Sequence, residues 1–169
     1  MNDETGAQNL SDDAIRHRLA TAYHEAGHAV MALSLGRLIQ KITIEPSKTA
    51  TGISRLGLCE FRKGRSKASK TLLDDQVLIL FAGMVAEARF TGEYCQAGAA
   101  QDLREIRNLL ANRASNERQL EKLQRRMLEK TEHLLFDETL VRAIESIALE
   151  LMQKTTISGR AARHLFEHA

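Results

Sequence analysis

The residues best placed to do chemistry fall in one stretch, Tyr23-His24-Glu25-Ala26-Gly27-His28-Ala29-Val30. In an α-helix, side chains four residues apart share one side, about one turn from each other. His24 and His28 can therefore turn both imidazoles toward a single metal ion. Glu25 follows the first histidine directly, close enough to act as a general base on a water at that metal. Two histidines at this spacing with a glutamate between them suit zinc-dependent hydrolysis of peptide bonds. A hydrolytic zinc site takes three protein ligands and keeps one position for water. A third ligand must therefore come from elsewhere in the chain.

The remaining histidines are poor candidates. His17 lies seven residues before His24, roughly 10 Å along a helix axis, too far for one ion to serve both. His133, His164 and His168 occupy exposed or terminal positions of expected helices, where a solvated role is the simpler one. Among carboxylates, Asp102 stands out after Gly98-Ala99-Ala100-Gln101, a small-residue turn that lets the backbone approach another element. The same position also suits an aspartate that merely stabilises a helix N-terminus. Spacing alone does not choose between the two.

The elements that must position these residues read mostly as helices. Ser11 is a suitable N-cap, with Asp12 and Asp13 in the first turn where the helix dipole favours carboxylates. That helix is expected to run to about Leu35 and stop at Gly36. Ile15, Leu19, Ala22, Ala26, Ala29 and Leu33 form its core stripe. His24 and His28 share another side with Thr21, Met31 and Leu35, bordering the core. Leu38 to Glu45 alternates partly and predicts a strand; Pro46-Ser47-Lys48 and Gly52 mark a turn, and Ile53 to Phe61 returns as a second strand.

Arg62 to Lys70 carries five basic residues among small ones and no interleaved aromatics, so a solvated loop is favoured over a nucleic-acid patch. Helices are then predicted over Thr71 to Phe90, from near Ala99 to about Ala114, and over the charged stretch Asn116 to Leu135. Asp137 can cap the next, with Phe136 and Val141 as a hydrophobic staple. Its buried stripe is Leu140, Ile144, Ile147 and Leu151, and Ser158 can cap a short final helix. The expected fold is mainly α, an α+β arrangement with a small β-hairpin. Residues 1–9 read as a disordered tail and 10–169 as a single domain.

Composition agrees with an ordinary globular protein. With 169 residues, 43% hydrophobic and 27% charged, the chain can bury a real core. A net charge of +2 argues for neither nucleic acid nor a membrane surface as partner. Cys59 and Cys95 form no C-x-x-C pattern, which favours reduced thiols over a disulfide scaffold. Met1 to Asn9 lacks the layout of a signal peptide, and Val77 to Ala86, the longest apolar run, is far short of a bilayer span. A cytoplasmic location is expected.

Several motifs in order give the chain a family likeness. Ala22-Tyr23-His24-Glu25-Ala26-Gly27-His28-Ala29, then Lys41-Ile42-Thr43-Ile44-Glu45-Pro46 with Gly52, Ala82-Gly83-Met84-Val85-Ala86-Glu87, Gly98-Ala99-Ala100-Gln101-Asp102-Leu103 and Leu140 to Thr156 follow one another. Together they resemble the peptidase domain of the FtsH-type membrane-anchored AAA+ zinc proteases over most of the chain. The resemblance implies a helical, zincin-like metallopeptidase domain holding one Zn²⁺ on His24, His28 and Asp102, with Glu25 as catalytic base. There are departures. Ala82 replaces the first glycine of the family's pair, Met84 a basic position and Ala88 a second acidic residue, which puts the usual support of the ligands and hexameric packing in question. Glu87 remains, either to orient a ligand histidine or as a surface charge.

The sequence contains no ATP-binding P-loop, AAA+ module or membrane anchor ahead of the peptidase motifs. The implied activity is thus ATP-independent cleavage of unfolded or flexible polypeptides, held as an added strand along Thr51 to Cys59. One alternative is a non-catalytic metal-binding or regulatory module that docks on a separate ATPase partner or self-associates through Asn116 to Leu135. Another is hydrolysis of a small non-peptide amide. Glu25 favours catalysis, because metal binding alone needs no base.

Overall fold

The computed structural model describes residues 4–48, 54–55, 57–61 and 70–169. In chain order these form α1 (Glu4–Ser34), β1 (Ile39–Thr43), β2 (Ser47–Lys48), β3 (Ser54–Arg55), β4 (Leu58–Phe61), α2 (Lys70–Thr91), α3 (Ala100–Ala111), α4 (Glu117–Leu134), α5 (Glu138–Lys154), β5 (Thr156–Ser158) and α6 (Gly159–Glu167). The fold is mainly α with a small antiparallel sheet, as the sequence pattern implies. Arg62 to Ser69, most of the expected basic loop, lies outside the described residues, as do Met1 to Asp3 and Thr51 to Ile53.

Local chemistry explains the starts of three of the six described helices. The Asn116 side chain accepts from Gln119 N–H at 2.9 Å and opens α4. Asp137 Oδ1 accepts from Thr139 N–H and Leu140 N–H at 2.9 and 3.2 Å and opens α5. Ser158 Oγ accepts from Ala161 N–H at 3.2 Å and opens α6. Each supplies an acceptor to orphan amides of a first turn. Phe136 differs from its expected staple role. Its ring is 74% exposed and lies under the Arg89 guanidinium, 5.2 Å from the ring centroid.

The first helix departs from its expected form in two ways. It starts at Glu4, so Ser11 lies in its interior and caps nothing. Residues 11–18 are also all exposed: Ile15, expected in the core stripe, is 53% exposed. Beyond Tyr23 the opposite holds, because every residue from His24 to Ala32 is buried. The histidines therefore sit inside the domain and do not merely border its core. The cause is that α2 and α5 pack along α1 on one side and another, enclosing a segment too rich in alanine to look like a buried helix.

α2 is the second central helix, buried without interruption from Phe81 to Glu87. It lies between two apolar clusters. One joins Ala26, Val30, Ile42, Ile147 and Leu151 with the sheet and α6. The other joins Val77, Phe81, Ile106, Leu110 and Leu120 with α3 and α4. At the crossing of α1 and α2, a Cβ on Gly27 would lie 2.4 Å from Ala82 O and 2.6 Å from Ala86 Cβ. Only glycine permits that approach, which justifies its cost of about 1 kcal/mol inside a helix.

The three-stranded sheet has the order β4-β1-β5. β1 pairs with β4 as the expected hairpin, Ile42 opposite Cys59. It also pairs antiparallel with β5, Ile42 opposite Ile157. β5 has no counterpart in the sequence reading. It follows Thr155, which ends α5 at φ 63° without glycine.

Candidate metal centre

Three elements build the site. α1 contributes His24, Glu25 and His28, α2 contributes Gly83 and Glu87, and α3 contributes Asp102 from its first turn. A nitrogen of each histidine and an Asp102 oxygen all lie within 4.8 Å of one another. His24 Nε2 is 3.0 Å and His28 Nε2 is 3.3 Å from the same oxygen, Asp102 Oδ2. The two rings stand edge to face, their centroids 4.7 Å apart. α3 has no side-chain cap of its own, and its Asp102 is turned to the imidazoles.

The far sides of both rings are fastened. His28 Nδ1 lies 2.7 Å from Ile79 O; a carbonyl only accepts, so that nitrogen carries the hydrogen and donates it. His24 Nδ1–H donates to Glu87 Oε2 at 2.8 Å. In neutral rings so held, both Nε2 atoms present lone pairs to a carboxylate oxygen. Such an arrangement is repulsive unless a cation lies among them. The electrostatics agree. Burial alone would lower the pKa of His24, yet its hydrogen bonds to Asp102 and Glu87 outweigh this and push it up to about 10. Burial would raise that of Asp102, yet His24 and His28 hold it well below the usual carboxylate range. Without metal the cluster keeps a proton where a metal ion would sit. Nitrogen and carboxylate donors of this kind fit Zn²⁺, with room left in the coordination shell for water.

Two glycines make space at the site. A Cβ on Gly83 would lie 2.5 Å from His28 Cε1, 2.6 Å from His28 Nε2 and 2.8 Å from His24 Nε2. A Cβ on Gly57 would lie 2.6 Å from Glu25 Oε1. Gly57 escaped the sequence reading, since nothing local marks it; only its position just before β4 brings it against the glutamate. Cys59, also near Glu25, is a buried thiol pushed well above its usual range by burial and by the charges of Glu25 and Glu60. It is not among the converging donor atoms. His133, His164 and His168 are exposed, as the sequence implied, and so is His17.

The model of peptidase family M41 matches residues 13–116, more than half of the chain and the whole of this site. The chain belongs to peptidase family M41. Similar proteins include the ATP-dependent zinc metalloprotease FtsH of Marinobacter nauticus, 34% identical over 95 residues, which are 55% of this chain and 14% of that protein. FtsH of Protochlamydia amoebophila is 41% identical over 87 residues, 49% of this chain and 9% of its own length. For FtsH of Chlamydia trachomatis serovar L2 the values are 37% over 100 residues, 57% and 10%. The chain thus spans only a small part of the curated relatives it matches. The M41 match ends before α4, so α4, α5, β5 and α6 lie beyond it.

Ala82 meets Gly27 of α1 through its carbonyl, whereas Gly83 faces the imidazoles. Glu87 by itself reaches His24. Glu87→Ala is expected to weaken zinc affinity by about 10–100-fold, the usual effect of removing a ligand's supporting partner. Competition against a fluorescent zinc chelator reads this directly, and wild-type affinity would reduce Glu87 to a structural role.

Proposed function

We propose that the chain is a zinc-dependent metalloendopeptidase that hydrolyses peptide bonds in unfolded or flexible polypeptides. The observation that carries this reading is the convergence of His24, His28 and Asp102 donor atoms on one point, with Glu25 buried beside them. His24, His28 and Asp102 would hold one Zn²⁺. When bound, the ion supplies a Lewis acid that polarises the scissile carbonyl and acidifies water. Glu25 accepts the proton of the attacking water and then delivers it to the leaving amine. Gly57 keeps the Glu25 carboxylate in place from the other side. β4 is an edge strand of the sheet and follows Gly57 directly, so an extended substrate added along it would pass Glu25.

A non-catalytic metal-binding module remains the competing reading. It would need the three ligands but not a buried carboxylate next to them, and burying a carboxylate is costly. Cleavage by these residues on their own would be restricted to chains that need no unfolding. A separate ATPase partner, or self-association through α4, would widen that range. Among the described residues no helix is long and apolar enough to cross a membrane. Both cysteines are free, in keeping with a reducing setting.

Stripping the metal with a chelator should abolish cleavage of casein, and one equivalent of zinc should restore it. Cleavage that persists through stripping, with zinc shown to be absent, would overturn the proposal.

A further inference from the structure

The described residues hold a second concave site, distinct from the metal centre. A pocket of about 500 Å³ opens between α2, α3 and α4, and none of His24, Glu25, His28 or Asp102 lines it. That volume lies within the range of about 300–1,000 Å³ typical of small-molecule sites. Phe81 and Met84 of α2 line it and are buried. Leu103 of α3 and Leu128 of α4 add apolar wall on either side. The polar lining comprises Tyr94, Gln96, Gln124 and three guanidinium groups, those of Arg104, Arg107 and Arg125, all three at exposed positions.

The three arginines are not equivalent. Arg107 is engaged by both carboxylate oxygens of Glu117, at 2.6 and 2.7 Å. Arg104 and Arg125 have no ion-pair partner among the described residues. The pocket thus offers an apolar interior and two uncompensated cations. A purely apolar guest would leave both guanidinium groups without a partner. A small hydrophilic anion would leave the apolar walls in water. A guest with an apolar body and an anionic head satisfies both.

We propose that this pocket binds an organic oxyanion carried on an apolar body, of the carboxylate or phosphate-monoester type. The body displaces water from Phe81, Met84, Leu103 and Leu128, and the head receives charge-assisted hydrogen bonds from Arg104 and Arg125. Arg125 and Leu128 belong to α4, beyond the residues matched by the M41 family model. The α4 wall of the pocket therefore lies outside the family match, while the walls from α2 and α3 lie within it.

Calorimetric titration of the full chain with octanoate, octyl phosphate and octanol tests this without any cleavage assay. At least one of the two anions should bind with a Kd below about 1 mM, and octanol at least about tenfold more weakly. The anion that binds better identifies the head group. In the double variant Arg104→Gln, Arg125→Gln, affinity for that anion should fall by about tenfold or more. Both positions are exposed, so the variant should fold, and its circular dichroism spectrum checks that it has. No binding of either anion, octanol binding equal to the anions, or unchanged affinity in the folded double variant would each overturn the assignment.

Discussion

Glu25→Gln is expected to leave the zinc content unchanged and to lower casein cleavage by about 10²–10⁴-fold, the range for loss of a general base. The substitution keeps the size and shape of the side chain but removes its ability to take a proton from water at neutral pH. Glu25 is not among the converging ligand atoms, so zinc should remain. Its surroundings make a compensating movement difficult. The residue is 6% exposed, and the Gly57 backbone faces its carboxylate so closely that no Cβ fits there. Zinc analysis and proteolysis on one preparation separate the two effects. Equal, chelator-insensitive cleavage in both proteins would remove Glu25 from the mechanism. Loss of zinc together with activity would instead make it a support of the metal centre.

Gly83→Ala should abolish zinc binding in practice, a loss of about 100-fold or more, while the helices persist. Two effects oppose each other. Alanine favours a helix interior by about 1 kcal/mol over glycine, so α2 itself gains. The new methyl, however, would stand 2.5–2.8 Å from ring atoms of both His28 and His24. Neither ring is free to retreat, because each is fastened behind, His28 to Ile79 O and His24 to Glu87. Turning either ring would break its hydrogen bond inside the core, which costs about 1–3 kcal/mol and misdirects its Nε2 lone pair. Chelator competition with circular dichroism reads both consequences. Wild-type zinc affinity in a folded Gly83→Ala protein would show that the imidazoles are not held where the geometry has them.

The parts of the fold that were legible in the sequence are those set by neighbours along the chain. Asp137 and Ser158 cap α5 and α6 as expected, because a cap needs only its own side chain and the amides two or three residues on. The β1–β4 hairpin was legible in the same way. β5 was not. Three residues carry no periodicity, and Thr156–Ser158 becomes a strand only because β1 offers it an edge. Ile15 misled for a related reason. Helical spacing assigns a residue to a face, but burial requires something opposite that face, and nothing among the described residues covers it there.

The metal centre divides along the same line. The sequence by itself determined that His24 and His28 share one side of a helix with Glu25 next to them, since helix geometry alone sets that relation. The tertiary structure decided everything that depends on approach between segments distant in the chain. It brought Asp102 to both imidazoles from a helix 78 residues away from His24, turned Glu87 inward to His24, and laid Gly57 against Glu25. Those contacts arise because α1 and α2 are buried against each other at small residues, and α3 packs against α2. The motif specifies the donors, and packing specifies where they meet.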